Sequence, residues 1–201
     1  MGMRVLTTLA AFAAVGIGVY AAGPVLPRPA KELEIVEPSG KHDLLTNYRG
    51  KVVVVQFLYT TCPHCQAYSQ LLTKLQGEYG PRGFQCLGGA FNEADANMVR
   101  NYVNQYKVGF PIGPMSRDTV TSFMGFSVMD RLVVPQIALI DRKGQIREET
   151  EAYPQGNDAA PLQVESHLRA SIEKLLNEGA TPAPSTTGSA TKKSATKKPV
   201  S

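Results

Sequence analysis

The chain has 201 residues, 43% of them hydrophobic and 19% charged, which is enough apolar material for one folded core with extensions at its ends. That composition excludes wholesale disorder, a collagen-like chain and a polytopic membrane protein. The formal charge of +4 is an end effect: Arg4, Arg28, Lys192, Lys193, Lys197 and Lys198 lie near the termini, and without those six the 15 remaining basic residues face all 17 acidic ones. The interior is thus mildly acidic, and no nucleic-acid partner is expected.

Val5 to Ala22 is free of charge, follows Arg4 and exits through the small residues Ala21, Ala22 and Gly23. A basic start, an apolar middle and a small-residue exit describe an export signal, and the same run is long enough to span a bilayer if retained. Residues 1–22 are therefore expected to be a signal peptide or membrane anchor. Either would deliver the rest of the chain to the cell envelope, in the periplasm or on the extracytoplasmic face of the membrane; membrane attachment would run through residues 5–22. Residues 23–31, with Pro24, Pro27 and Pro29, read as a linker. Residues 180–201 carry Ser-Ala-Thr-Lys-Lys twice in tandem and too little apolar surface to offset ordering entropy, so a disordered basic tail is expected.

The intervening segment, residues 32–179, alternates strand and helix signals. Leu33 to Glu37 reads as a short strand, and Val52 to Tyr59 as a central strand covered on both faces. Pro63 to Tyr79 reads as a helix with Tyr68, Leu71, Leu72, Leu75 and Tyr79 on one side, ended by the turn Gly80-Pro81-Arg82-Gly83. Phe84 to Phe91 is expected to be a strand, Glu93 to Tyr106 a helix, Phe110 to Ile112 a short strand and Arg117 to Met124 a short helix. After Pro135, Gln136 to Asp141 and Gln145 to Thr150 read as a β-hairpin around Arg142-Lys143-Gly144. Pro161 is expected to open a last helix, with Leu168, Ile172, Leu175 and Leu176 buried and Gly179 as its stop. The order implies an α/β domain with a mixed sheet between helices.

The chemistry lies in Cys62-Pro63-His64-Cys65, where the central strand hands over to the first long helix. Unsatisfied backbone N–H groups at a helix start favour an anion there, and the thiolate is the reactive form of cysteine. Cys62 is thus the expected nucleophile and Cys65, one turn along, the resolving partner. Pro63 suits the first helical turn, where a missing N–H costs nothing. His64 can place positive charge or a hydrogen bond near the Cys62 sulfur and so favour the reduced pair. With three cysteines in all, there is neither a disulfide scaffold nor a four-cysteine zinc site; no metal and no other cofactor is expected, since the sulfurs themselves carry two electrons. Cys86 reads as a small buried hydrophobe, and His42 and His167 as surface residues.

In these features the chain resembles the thioredoxin-like thiol–disulfide oxidoreductases of the bacterial envelope, the TlpA/ResA type. The resemblance rests on Gly50-Lys51 before the strand, the strand–Cys-x-x-Cys–helix junction, Val134-Pro135 before a strand ending in Ile140-Asp141, the following hairpin and the closing helix. It implies a thioredoxin-like fold with an N-terminal β extension and an extra βα insertion before a cis proline. It further implies that Val134–Pro135 is cis, faces the cysteines and, with Thr61 beside Cys62, receives an extended substrate strand. Partners would be protein thiol or disulfide substrates and a redox partner protein that resets the pair, met by a monomer.

Three positions depart from that pattern. Thr61 stands where a tryptophan usually precedes the first cysteine, Tyr68 where many members carry a glutamate, and Gln56 at the acidic or amide position of the central strand. No carboxylate is then expected to deprotonate Cys65, which speaks against a dedicated cytochrome c maturation reductase. The Pro-His pair is similar to DsbA-type oxidants, without their large helical insertion. Two rivals keep the fold. A peroxiredoxin-like peroxidase would want a threonine where Tyr59 stands. A copper-binding chaperone would want a distal histidine, for which His167 is poorly placed.

Overall fold

The computed structural model describes residues 24–154 and 159–178. Strands and α-helices follow in the order β1 (Arg28–Pro29), β2 (Glu34–Val36), β3 (His42–Leu44), β4 (Val52–Leu58), α1 (Pro63–Tyr79), β5 (Phe84–Ala90), α2 (Ala96–Tyr106), β6 (Ile112–Pro114), α3 (Arg117–Met124), β7 (Gln136–Ile140), β8 (Gln145–Glu149) and α4 (Glu165–Asn177). Six strands form one mixed sheet in the order β1-β8-β7-β4-β5-β6, with β4 parallel to β5 and antiparallel to β7; β2 and β3 form a separate hairpin. This is the thioredoxin-like α/β architecture; α2, β6 and α3 lie between β5 and β7, one β–α unit more than the minimal fold carries there.

All of β4 is buried, yet its side chains still alternate. Val52, Val54 and Leu58 join Cys65, Leu72 and Leu75 of α1, Tyr102 of α2 and Leu168 and Ile172 of α4 in one core. Val53, Val55 and Phe57 join Leu33, Ile35 of β2 and Val120 and Phe123 of α3 in the other. Such two-sided cover is why the strand reads as a continuous apolar run rather than an alternating one. By the same parity Gln56 lies on the first face, beneath α1.

Several expectations need correction. The second helix begins at Ala96, not Glu93: Glu93 has φ 55°, and Asp95 caps the helix by accepting from the Met98 N–H at 2.8 Å. The short strand is Ile112–Pro114 rather than Phe110 to Ile112, paired to Gly88, Gly89 and Ala90 of β5. Pro161 opens only a 3₁₀ turn, Pro161–Gln163; Val164 is extended at φ −91° and ψ 120°, so α4 starts at Glu165. Strands β1 and β3 and the 3₁₀ turn Leu45–Tyr48 had no expectation, and β1, inside the segment read as a linker, pairs with β8. His42 and His167 are exposed and pair with Glu34 and Glu148; Cys86 is fully buried. Residues 1–22, the tail 180–201 and the helix stop at Gly179 lie outside the described residues. Among the described residues no helix is long and apolar enough to cross a membrane.

Candidate active site

Strand β4 ends at Leu58, and Tyr59, Thr60 and Thr61 carry the chain to α1. Cys62 is the N-cap of that helix, extended at φ −85° and ψ 119°, with Pro63 just inside. The junction is pinned at Thr60. The Asn92 side chain accepts from the Thr60 N–H (3.1 Å) and donates to Thr60 Oγ1 (3.0 Å), while Gln66 Nε2 donates to the Thr60 carbonyl (3.1 Å). Thr61 and His64 are exposed, and neither side chain makes a hydrogen bond within the described residues.

Cys62 is half-buried and Cys65 fully buried; both are free thiols. Burial pushes the Cys65 thiol far above its ordinary range, the Cys62 sulfur adds to that, and a backbone contact at Tyr59 opposes it in part. Because Cys62 alone is accessible, iodoacetamide at neutral pH should modify Cys62 and leave Cys65 and Cys86 untouched until the chain is unfolded. Peptide mass spectrometry reads this directly; labelling of Cys86 as fast as Cys62 would contradict its burial.

A closed polar ring lies under Cys65. Gln56 Nε2 and the Tyr102 hydroxyl both donate to the Cys65 carbonyl at 3.1 Å. Ser69 Oγ donates to Gln56 Oε1 at 2.8 Å and meets the Tyr102 oxygen at 2.7 Å. All four residues are buried and none bears a charge, so each polar group is satisfied without an ion in the core.

Opposite Cys62, the Val134–Pro135 peptide bond is cis. The segment is held from three sides. Val133 N–H donates to the Ala152 carbonyl (3.0 Å), Gln136 Nε2 donates to the Val133 carbonyl (2.8 Å), and Gln163 Nε2 donates to the Pro135 carbonyl (2.8 Å). The Val134 carbonyl faces the Cys62 thiol at 3.9 Å, and the Val134 N–H has no partner among the described residues. Between α1 and this segment runs a groove of about 500 Å³ lined by His64, Ala67, Leu71, Val134, Pro135 and Gln163, among others. Cys62, Cys65, His64, Val134 and Pro135 are therefore brought together, with Pro63 shaping the helix start. Thr61 is exposed beside Cys62 and, like both cysteines, does not line the groove. Asn92, Ser69, Tyr102 and Gln163 escaped sequence reasoning because each acts through a contact distant in the chain, as did Gln136, whose amide also donates to the Glu151 and Ala152 carbonyls. Among the described residues no group of three His, Cys, Asp or Glu side chains converges as a metal site would require.

A thioredoxin-like sheet with a Cys-x-x-Cys pair at a helix start defines a thiol–disulfide oxidoreductase of the thioredoxin superfamily, of the TlpA/ResA type. The chain belongs to the Redoxin family, which it matches over residues 28–162. It is 26% identical to the thiol-disulfide oxidoreductase ResA of Geobacillus thermodenitrificans over 152 residues, covering 73% of this chain and 84% of that protein. To ResA of Bacillus anthracis it is 25% identical over 122 residues, 61% of this chain and 67% of that protein. In fold it is similar to a thioredoxin-family thiol:disulfide interchange protein of Chlorobium tepidum, with a TM-score of 0.62 at 22% identity over 76% of this chain and 99% of that one. It is also similar to the thioredoxin domain of a Bacteroides vulgatus thiol-disulfide oxidoreductase, with a TM-score of 0.59 at 18% identity over 79% and 100%.

Proposed function

We propose that the chain works outside the cytoplasm, exchanging a Cys62–Cys65 disulfide with polypeptide partners, and that residues 1–22 bring it there as a cleaved signal or a retained anchor. Residues 32–179 are the working domain, followed in the chain by the basic segment 180–201. In the reducing direction the Cys62 thiolate attacks one sulfur of a partner disulfide. A Cys62–partner bond forms, the partner's own S–S bond breaks, and the displaced sulfur leaves with the electron pair and takes up a proton. The Cys65 thiol then loses its proton and attacks Cys62, and the second partner sulfur leaves as a thiol. Two electrons have passed to the partner; a second redox protein running the same steps in reverse resets the pair. No cofactor enters.

The observation that carries this reading is the Cys62 thiol facing the Val134 carbonyl, with the Val134 N–H left unpaired among the described residues. An N–H and a C=O on one residue are what an added strand needs, so the backbone of a partner can pair there while its sulfur meets Cys62. Reduction of insulin by the purified chain, with thiol reductant in excess, tests the exchange. A peroxidase would instead consume peroxide at least as readily, although Tyr59 stands in place of the threonine such an enzyme uses.

His64 serves as the tuning residue in this reading. Two positions from the sulfur, its imidazole N–H can turn toward that sulfur as a hydrogen-bond donor and so favour the thiolate and hence the reduced pair. His64→Thr should make the pair more reducing by about 30 mV, equal to about 1.4 kcal/mol for two electrons. Equilibration with glutathione buffers measures this, and an unchanged potential would remove His64 from the mechanism.

A further inference from the structure

The groove beside Cys62 has a wall that the disulfide chemistry leaves unexplained. Among the described residues its lining contains no Asp, Glu, Lys or Arg. Tyr68 lines it too, but its hydroxyl is spent on the Leu162 carbonyl at 2.6 Å, which ties the 3₁₀ turn Pro161–Gln163 to α1. That turn delivers Gln163, half-buried, onto the Pro135 carbonyl. The mouth is thus shared by an exposed imidazole on one side and a fixed, neutral amide on the other. A charged side chain entering would shed water and find no opposite charge, which is costly; an apolar one loses nothing.

Resting on the disulfide-exchange reading above, we propose that Gln163 is a specificity-determining residue: its amide, anchored on Pro135, closes the groove with a neutral wall, so that the residue flanking a partner's reactive cysteine must be uncharged and apolar. Gln163 takes no part in the sulfur chemistry. It shapes the space next to it and, through Pro135, holds the segment on which the partner strand lies.

The test uses the full chain with Cys65→Ala, so that attack stops at the mixed disulfide, and three otherwise identical peptides. Each carries one cysteine as an activated disulfide, flanked by Leu, Lys or Glu. With Gln163 intact, the Leu peptide should react about tenfold faster than either charged one, the scale of a well-placed charge contact at an interface. Gln163→Glu should raise the Lys-to-Glu rate ratio about tenfold and Gln163→Lys should lower it by a similar factor. Gln163→Met, neutral but unable to donate, should slow the Leu peptide while leaving that ratio unchanged. At about 1 M salt, where charges beyond about 3 Å are screened, the ratio change should persist because it is a contact effect. The proposal is overturned by a ratio that is the same in all variants, by one that collapses at high salt, or by one that changes equally when the charge sits at the peptide's far end. Failure of the underlying reading looks different: no peptide would react with any variant although iodoacetamide still labels Cys62.

Discussion

Cys62→Ala is expected to abolish disulfide exchange, lowering the rate of insulin reduction by at least about a thousandfold, because no other accessible sulfur stands at the helix start. Cys86 cannot substitute: it is fully buried on β5, its thiol directed at the Leu72 carbonyl at 3.6 Å and pushed far up by burial. Cys65→Ala should fail in a different way. The first attack by Cys62 survives, but the internal sulfur that would release the partner is missing. The variant should accumulate as a covalent adduct with its disulfide substrate, visible by intact mass and reversed by a thiol reductant. Normal turnover of Cys65→Ala would refute the resolving role; absence of any adduct would refute the role of Cys62 as the attacking sulfur. The neutral ring under Cys65 sharpens the contrast, since Gln56, Ser69 and Tyr102 hold its carbonyl but provide no carboxylate to take its proton.

Gly113→Ala should be the most damaging single methyl outside the active site. A Cβ on Gly113 would stand 2.4 Å from the Val36 carbonyl oxygen and 3.0 Å from the Val36 nitrogen. The obstacle is backbone on both sides: Gly113 is paired to Gly89 of β5 in the main sheet, and Val36 belongs to the β2–β3 hairpin. Neither can yield by turning a side chain. Overpacking of this kind costs about 1–3 kcal/mol, and for a chain of this size each kcal/mol moves Tm by roughly 2–4 °C. Gly77→Ala provides the control. It lies within α1, a Cβ there meets nothing within 4 Å, and alanine favours a helix interior over glycine by up to about 1 kcal/mol. Gly113→Ala should therefore melt several degrees lower and Gly77→Ala no lower than the parent, by calorimetry. Equal melting of all three would mean that the hairpin does not seat against β6 as closely as described.

Much of the fold could be read along the chain. Val52 to Leu58 announces a buried strand through unbroken β-branched and apolar residues. Pro63 to Tyr79 announces its own helix through spacing and a proline at the first position. Cys62 and Cys65 needed only their place at that junction to be recognised. Shorter elements resisted for a physical reason: β1 and β3, two and three residues long, hold their shape through pairing with β8 and β2, not through local preference. The start of α4 was misplaced because Pro161 satisfies a local rule for a helix start, while the burial of Leu162 and the Tyr68 hydrogen bond on its carbonyl accompany a tight turn there instead.

What the amino acids alone determined is the kind of chemistry, since a thiol pair one helical turn apart is set by spacing within a single element. Which groups surround that pair was decided by tertiary structure. Val134 and Tyr102 reach the cysteines, Asn92 reaches Thr60 and Gln163 reaches Pro135, all from separate parts of the chain, and their hydrogen bonds exist only once the sheet brings those segments to one end. Spacing along a helix is local and survives in the sequence; convergence across a sheet depends on every strand between.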